Sequence, residues 1–159
     1  MPDNLKILDR SNAPEVRKLN PGKTIVFTNG CFDILHTGHV RYLAAAKRLG
    51  DLLVVGLNGD GSVRELKGEG RPLNTQEDRA EVMAALEAVD YVIIFAEKRV
   101  DNLLREVRPH VYAKGGDYTE ASLDAGEVAA LKEVGATIRI LPLVPGKSTT
   151  KLLEAMQRK

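Results

Sequence analysis

Short apolar runs alternate with amphipathic stretches along this chain. Thr24-Ile25-Val26-Phe27-Thr28 follows the turn signal Asn20-Pro21-Gly22 and reads as a strand. Residues 39–49 read as a helix, with Val40, Leu43, Ala44 and Lys47 at helical spacing and Gly50 as its C′ stop. Residues 52–57 are apolar almost throughout, the pattern of a strand whose two faces are both covered by helices. Residues 58–74 are rich in Gly and charge and predict a mobile loop with a short helix at 62–66. Thr75 caps the next helix, Glu77 and Asp78 make its first turn acidic, and Val82, Leu86 and Val89 form its apolar stripe. Three further strands are expected at Tyr91–Phe95, 110–113 and Thr137–Leu141, separated by helices near 100–107 and 123–134. A last helix begins at Ser148, with Leu152, Leu153 and Met156 turned to the core.

Five strands with helices between them predict an α/β fold with a doubly wound parallel sheet. Such sheets bind ligands beyond the carboxyl ends of their strands, where the strand order reverses. The loops at 28–39, 57–74, 113–119 and 142–150 are therefore the ones to inspect. Residues 1–20 read as an ancillary N-terminal helix and lead-in, and 24–157 as the core of a single domain spanning 1–159.

Composition narrows the picture. At 159 residues, 43% hydrophobic and 28% charged, the chain suits one globular domain. Lys+Arg is 23 against 22 for Asp+Glu, a net charge of +1, so no broad basic field exists to attract nucleic acid. Any bound phosphate must be held by local geometry. The single Cys31 excludes an intramolecular disulfide and a multi-cysteine zinc site, which fits a reducing compartment. No apolar run approaches the roughly 20 residues of a membrane span, and the first residues lack a secretory core. These features predict a cytoplasmic protein that does not engage membranes.

The segment Asn29-Gly30-Cys31-Phe32-Asp33-Ile34-Leu35-His36-Thr37-Gly38-His39 lies between the first strand and a helix. Gly30 and Gly38 remove Cβ atoms where the backbone must turn or meet a ligand. His36 and His39, three apart, share one side of a helical turn. The N–H groups of that turn are open to phosphate. Two imidazoles beside them could stabilise charge developing on an attacked α-phosphate. The plain alternatives are a helix cap with a core histidine, or a metal pair. Only one other histidine exists and there is no H-E-x-x-H arrangement, and the position after a buried strand favours phosphate.

Gly30 to His39 resembles the G-x-F-D-x-x-H-x-G-H signature of the cytidylyltransferase-like nucleotidyltransferases. Asn58-Gly59-Asp60-Gly61-Ser62-Val63, Lys67-Gly68-Glu69-Gly70-Arg71-Pro72, Lys114-Gly115-Gly116-Asp117-Tyr118 and Gly146-Lys147-Ser148-Thr149-Thr150 narrow the resemblance. Together they are similar to the D-glycero-β-D-manno-heptose 1-phosphate adenylyltransferases. The resemblance implies a Rossmann-like fold that transfers AMP from ATP to the sugar 1-phosphate, with Mg²⁺ accompanying the ATP. The product, ADP-heptose, serves lipopolysaccharide core synthesis. It also implies a homodimer; in many bacteria this activity is fused to a sugar kinase, for which 159 residues leave no room, so a separate kinase is expected to supply the sugar phosphate.

On that resemblance His36 and His39 are catalytic, and Asn29, Gly30, Cys31, Phe32 and Gly38 meet the nucleotide. Lys114, Gly115, Gly116 and Asp117 lie beside base and ribose, and Ser148, Thr149 and Thr150 receive the triphosphate. Lys67, Arg71 and Arg79 hold the sugar phosphate, and Asp33 supports the loop from behind. The plain readings are a charged solvated loop for Lys67, a salt-bridged helix residue for Arg79, an ordinary turn for Asp117, and a helix cap for Ser148. The protein ligands of Mg²⁺ are not legible. Gly146-Lys147-Ser148 is no P-loop, because Leu141 stands where that motif needs Gly. Gly59 and Gly61 do not complete G-x-G-x-x-G, because Arg64 occupies the last position. Glycerol-3-phosphate cytidylyltransferase, FMN adenylyltransferase and a non-catalytic nucleotide-binding module are the alternatives. Leu143 and Val144 stand where the glycerol-phosphate enzymes carry Arg.

Overall fold

The computed structural model describes residues 4–142 and 149–158. In chain order the elements are β1 (Ile7–Leu8), α1 (Glu15–Leu19), β2 (Ile25–Gly30), α2 (Thr37–Lys47), β3 (Leu52–Asn58), α3 (Asp60–Lys67), α4 (Gln76–Ala84), β4 (Tyr91–Phe95), α5 (Asp101–Val107), β5 (Val111–Gly115), α6 (Ala125–Val134), β6 (Thr137–Leu141) and α7 (Thr149–Gln157). Single 3₁₀ turns lie at Arg10–Asn12 and Glu120–Ser122. The strands form one sheet in the order β1-β4-β3-β2-β5-β6, and every pair is parallel.

β3 sits in the middle of the sheet with all seven residues buried. This explains its unbroken apolar run: both faces of a parallel strand are covered, so no alternation survives. One face packs Val26, Leu53, Val55 and Val92 against Leu43 and Ala46 of α2 and Ala80, Met83 and Ala84 of α4. The other packs Ile25, Phe27, Val54 and Tyr112 against Val16, Leu103, Leu104, Ala130 and Leu131 of α1, α5 and α6. The order reverses between β2 and β5, because α2 leaves β2 on one face and α6 follows β5 on the other. A crevice opens there by topology alone.

Several expectations need correction. The sheet has six strands, not five, because Ile7 and Leu8 of the lead-in pair with Val92 and Ile93 at the β4 edge. Two residues are too short a run for the alternation pattern to register. Val82 is 52% exposed. α4 ends at Ala84, two residues before Leu86 would extend the expected stripe, and the buried face is Arg79, Ala80, Met83 and Ala84. Gly50 does not end α2 in a left-handed turn, since its φ is not among the positive ones. A Cβ there would sit 2.7 Å from the Thr24 carbonyl and 2.8 Å from Val26 Cγ2, so close approach to β2 demands glycine. Leu152 and Met156 of α7 are exposed, Met156 at 67%. Their spacing marks an apolar face, and the described core does not cover it.

Candidate active site

A cavity of about 910 Å³ occupies the crevice at the carboxyl ends of β2 and β5. The loop between β2 and α2 forms its centre. Phe32 adopts φ +46°, a left-handed conformation sparsely populated by non-glycine residues and costly unless the surroundings enforce it. The ring folds back over Gly30, where a Cβ would lie 2.9 Å from Phe32 Cε2. It also meets the His39 ring edge-on at 5.7 Å.

His36 is the N-cap of α2, and its Nδ1 accepts from Gly38 N–H at 3.0 Å. His39 answers three residues on, its Nδ1 accepting from His36 N–H at 3.2 Å. The pair forms a capping box in which two imidazoles replace the usual hydroxyl and carboxylate. With both Nδ1 atoms accepting, the proton of each neutral ring resides on Nε2. The rings lie 4.0 Å apart, and both residues border the cavity. Burial, with His36 adding to it, pushes the His39 pKa down to about 4, so at neutral pH His39 is a neutral donor. The capping and phosphate readings are thus not rivals: capping through Nδ1 orients Nε2–H.

The side chain of Asp33 is 1% exposed. It accepts from Leu73 N–H at 2.8 Å, Asn74 N–H at 2.9 Å and Arg71 Nε at 3.0 Å. Burial would raise its pKa, but these donors together hold it below the usual carboxylate range. Asp33 therefore ties the histidine loop to the 71–74 segment and keeps Arg71 at the cavity edge. Arg79, expected at the sugar phosphate, points into the protein instead of the cavity. Its side chain is 1% exposed and does not line the cavity. Its guanidinium donates to the carbonyls of Cys31 (2.7 Å), Asn58 (2.7 Å) and Asn74 (3.0 Å) and to Asp60 Oδ1 (2.8 Å). Each of these contacts goes to a protein oxygen of the loops around the site.

Asn29, Gly30, Cys31, Phe32 and Gly38 all border the cavity, as do Lys67 and Arg71. Lys114, Gly115, Asp117 and Thr150 border it too, whereas Gly116 does not. Thr149 opens α7, and Ser148 lies outside the described residues. Lys114 Nζ stands 4.7 Å from the Tyr118 ring centre and 5.6 Å from that of Tyr112, a cation held between two aromatic faces. Burial pushes its pKa down, while Glu127 opposes the shift. Cys31 is half-buried, and desolvation pushes its thiol up despite the neighbouring cations, so it is a poor thiolate.

Lys98, Arg99, Tyr42 and Glu127 also line the cavity, and sequence reasoning missed them. Lys98 and Arg99 follow β4 at its carboxyl end. The rule that selected the other loops would have selected theirs, had the strand order been known. Among the described residues no group of three or more His, Cys, Asp or Glu could hold a metal ion. No described helix is long and apolar enough to cross a membrane.

The cytidylyltransferase-like family matches residues 27–154. The bifunctional protein HldE of a Nitratiruptor species is 54% identical over 136 residues, 86% of this chain and 28% of that protein. HldE of Aliarcobacter butzleri is 48% identical over 148 residues, 90% of this chain and 30% of that protein. The chain thus spans less than a third of the length of these relatives. The lipopolysaccharide core biosynthesis protein of Thermoplasma volcanium superposes with a TM-score of 0.64 at 31% identity, covering 77% of this chain and 98% of that one. A pantoate-beta-alanine ligase from Francisella tularensis shares the fold alone, at 15% identity and a TM-score of 0.59.

Proposed function

This chain belongs to the cytidylyltransferase-like family, and from that premise we propose that it transfers AMP from ATP to D-glycero-β-D-manno-heptose 1-phosphate, giving ADP-heptose and pyrophosphate. One observation carries the transferase reading. Two histidines, oriented by their own capping bonds, stand at a helix start inside a cavity that also gathers Lys67, Arg71, Lys98, Arg99 and Lys114. Donors and cations fixed in advance are what phosphoryl-type transfer needs, since that chemistry depends on positioning and charge stabilisation.

An oxygen of the sugar phosphate forms the new bond to the α-phosphorus as the bond from that phosphorus to the β-bridging oxygen breaks. The electron pair leaves with pyrophosphate. The attacking oxygen is already ionised, so no general base is required. The Nε2–H groups of His36 and His39 donate to the α-phosphate and leaving-group oxygens. Arg71, braced by Asp33, and Lys67 receive the acceptor phosphate. A Mg²⁺ ion bound together with ATP would neutralise charge on the triphosphate oxygens. On this reading a sugar kinase activity supplies the sugar 1-phosphate, the reaction is cytoplasmic, and the enzyme works as a homodimer.

Pyrophosphate release, measured with ATP or CTP against heptose 1-phosphate, glycerol 3-phosphate and FMN, tests the proposal. Turnover with ATP and the heptose phosphate is expected. Faster turnover with CTP and glycerol 3-phosphate, or with FMN, would reassign the substrate. Nucleotide binding without turnover on any acceptor would leave a binding module.

A further inference from the structure

Asn58 closes β3 and borders the cavity, although it is only 3% exposed. Its Nδ2 donates to Ser62 Oγ at 3.1 Å, and Ser62 Oγ donates to the Gly59 carbonyl at 3.2 Å. Ser62 is itself buried in the first turn of α3 and does not line the cavity. The amide nitrogen is thus committed to the fold. The oxygen is not: among the described residues no donor reaches Asn58 Oδ1. The one buried side-chain nitrogen or oxygen among them without a hydrogen bond is Asp101 Oδ1, so Asn58 Oδ1 is not sealed in the core. It opens on the cavity that Asn58 lines, as an acceptor with both lone pairs free on a side chain held in place by Ser62.

Arg79 Nη1 donates to the carbonyls of Asn58 and Cys31, each at 2.7 Å, so the end of β3 lies against the histidine loop. Asp33 of that loop holds Arg71 through Nε at 3.0 Å. β3 and β5 flank β2 on opposite sides, which sets Asn58 and Lys114 across the site from each other. Lys67, Arg71, Lys98, Arg99 and Lys114 supply the cavity with cations, and none of them donates to Asn58 Oδ1. Ionised phosphate oxygens only accept, so they belong with these cations and with the imidazole N–H groups. An amide oxygen needs a donor, and the donor that a phosphorylated sugar carries is a hydroxyl.

We infer that Asn58, pinned through Ser62, is a specificity-determining residue whose amide oxygen accepts a hydrogen bond from a hydroxyl of the acceptor sugar. The inference rests on the transferase reading above. The acceptor rather than the ribose is the source, because Asn58 lies on the β3 side of β2 and leads into the segment that carries Lys67 and Arg71. An acceptor lacking that hydroxyl leaves the oxygen without a donor in a filled site, which weakens its binding.

Asn58→Leu removes the oxygen at similar volume, and Ser62→Ala keeps it while releasing the amide nitrogen. Values of kcat/KM would be compared for the sugar 1-phosphate against each of its monodeoxy analogues, with 2′-deoxy-ATP and 3′-deoxy-ATP as the nucleotide arm. The wild-type protein should disfavour one deoxy sugar by about tenfold or more. That ratio should fall toward one in Asn58→Leu and to an intermediate value in Ser62→Ala, with the deoxy-ATP ratios unchanged in both. If Asn58→Leu does not fold, the Ser62→Ala ratio decides. A merely structural role would slow every substrate alike and leave the ratios standing, which overturns the inference. Wild-type indifference to every deoxy sugar overturns it too, as does a collapse confined to the deoxy-ATP ratios, which would give the oxygen to the ribose.

A binding measurement separates this inference from the transferase reading. Titration calorimetry of the sugar 1-phosphate and its monodeoxy analogues, with α,β-methylene-ATP present, needs no turnover. The wild-type protein should bind one deoxy sugar more weakly than the parent, and Asn58→Leu should bind the two alike. If no acceptor releases pyrophosphate, the transferase reading fails, while a preference abolished by Asn58→Leu still supports the hydroxyl contact. Equal wild-type affinity for all the sugars, or no binding of any, overturns the inference.

Discussion

In the proposed reaction His36 and His39 depend on the nitrogen each commits to capping α2. Because each Nδ1 accepts a backbone N–H, each Nε2 carries the proton toward the ligand side. Replacing either residue by Ala should lower kcat by roughly 10²-fold or more with the circular dichroism spectrum preserved. Near-normal kcat in both variants would reduce the pair to a cap. The depressed pKa of His39, about 4, also gives stability a pH dependence. Between about 4 and the ordinary value of 6.5 the unfolded chain binds more protons than the folded one, so stability rises with pH. The contribution is full above pH 6.5 and is lost as pH falls toward 4. Acidifying from about pH 7 to about pH 5 should therefore lower Tm more in the wild-type protein than in His39→Gln, whose side-chain oxygen can still accept from His36 N–H. Equal decreases would remove His39 as the source. Cys31, its thiol pushed up by burial, offers packing and its backbone carbonyl rather than a nucleophile. Cys31→Val should keep kcat within roughly threefold, under about 1 kcal/mol of barrier, and kinetics should be sequential. A trapped AMP–thiol adduct would contradict the direct displacement.

Among the elements, α4 matters less for its apolar face than for Arg79 in its first turn. That side chain joins the end of β3, the start of α3, the histidine loop and the segment before α4 through four hydrogen bonds. Arg79→Met leaves three carbonyls without this donor and Asp60 without its partner. We expect a loss of about 3 kcal/mol in chemical denaturation and a rise in KM for both substrates, because the loops on both sides lose their tie. A rise confined to the sugar phosphate would restore Arg79 to direct contact with that ligand. The sequence showed that an arginine stood near the site, but not which way it pointed. Thr75 was legible as the cap of α4 because capping is local: its hydroxyl accepts from Asp78 N–H. The exposure of Val82, Leu152 and Met156 was not legible. Spacing defines an apolar face, and only the neighbouring elements decide whether anything covers it.

At the scale of the molecule, the lead-in is part of the sheet. β1 covers the β4 edge, and Arg10 pairs with both Glu97 and Glu106, fastening the segment across the α5 end. Deleting residues 1–12 should lower Tm by roughly 5–10 °C, since about 1 kcal/mol corresponds to roughly 2–4 °C for a chain of this size. The bared edge should also promote association, visible by light scattering. An unchanged Tm in a monodisperse protein would show the segment to be ornamental.

The sequence by itself determined what depends on near neighbours along the chain. The strand runs at Tyr91–Phe95 and Thr137–Leu141, the parallel α/β class and the histidine loop at a helix start all follow from local pattern, because backbone propensity, capping and burial periodicity act over a few residues. Tertiary structure decided what depends on residues far apart in sequence meeting in space. The strand order β1-β4-β3-β2-β5-β6 places the crevice between β2 and β5 and brings Lys98 and Arg99 to it. It also lays Tyr112 between Asn29 and Glu127 and turns Arg79 inward onto carbonyls. A hydrogen bond's direction depends on which partner arrives and on where the last proton goes. Neither is encoded at any single position of the chain.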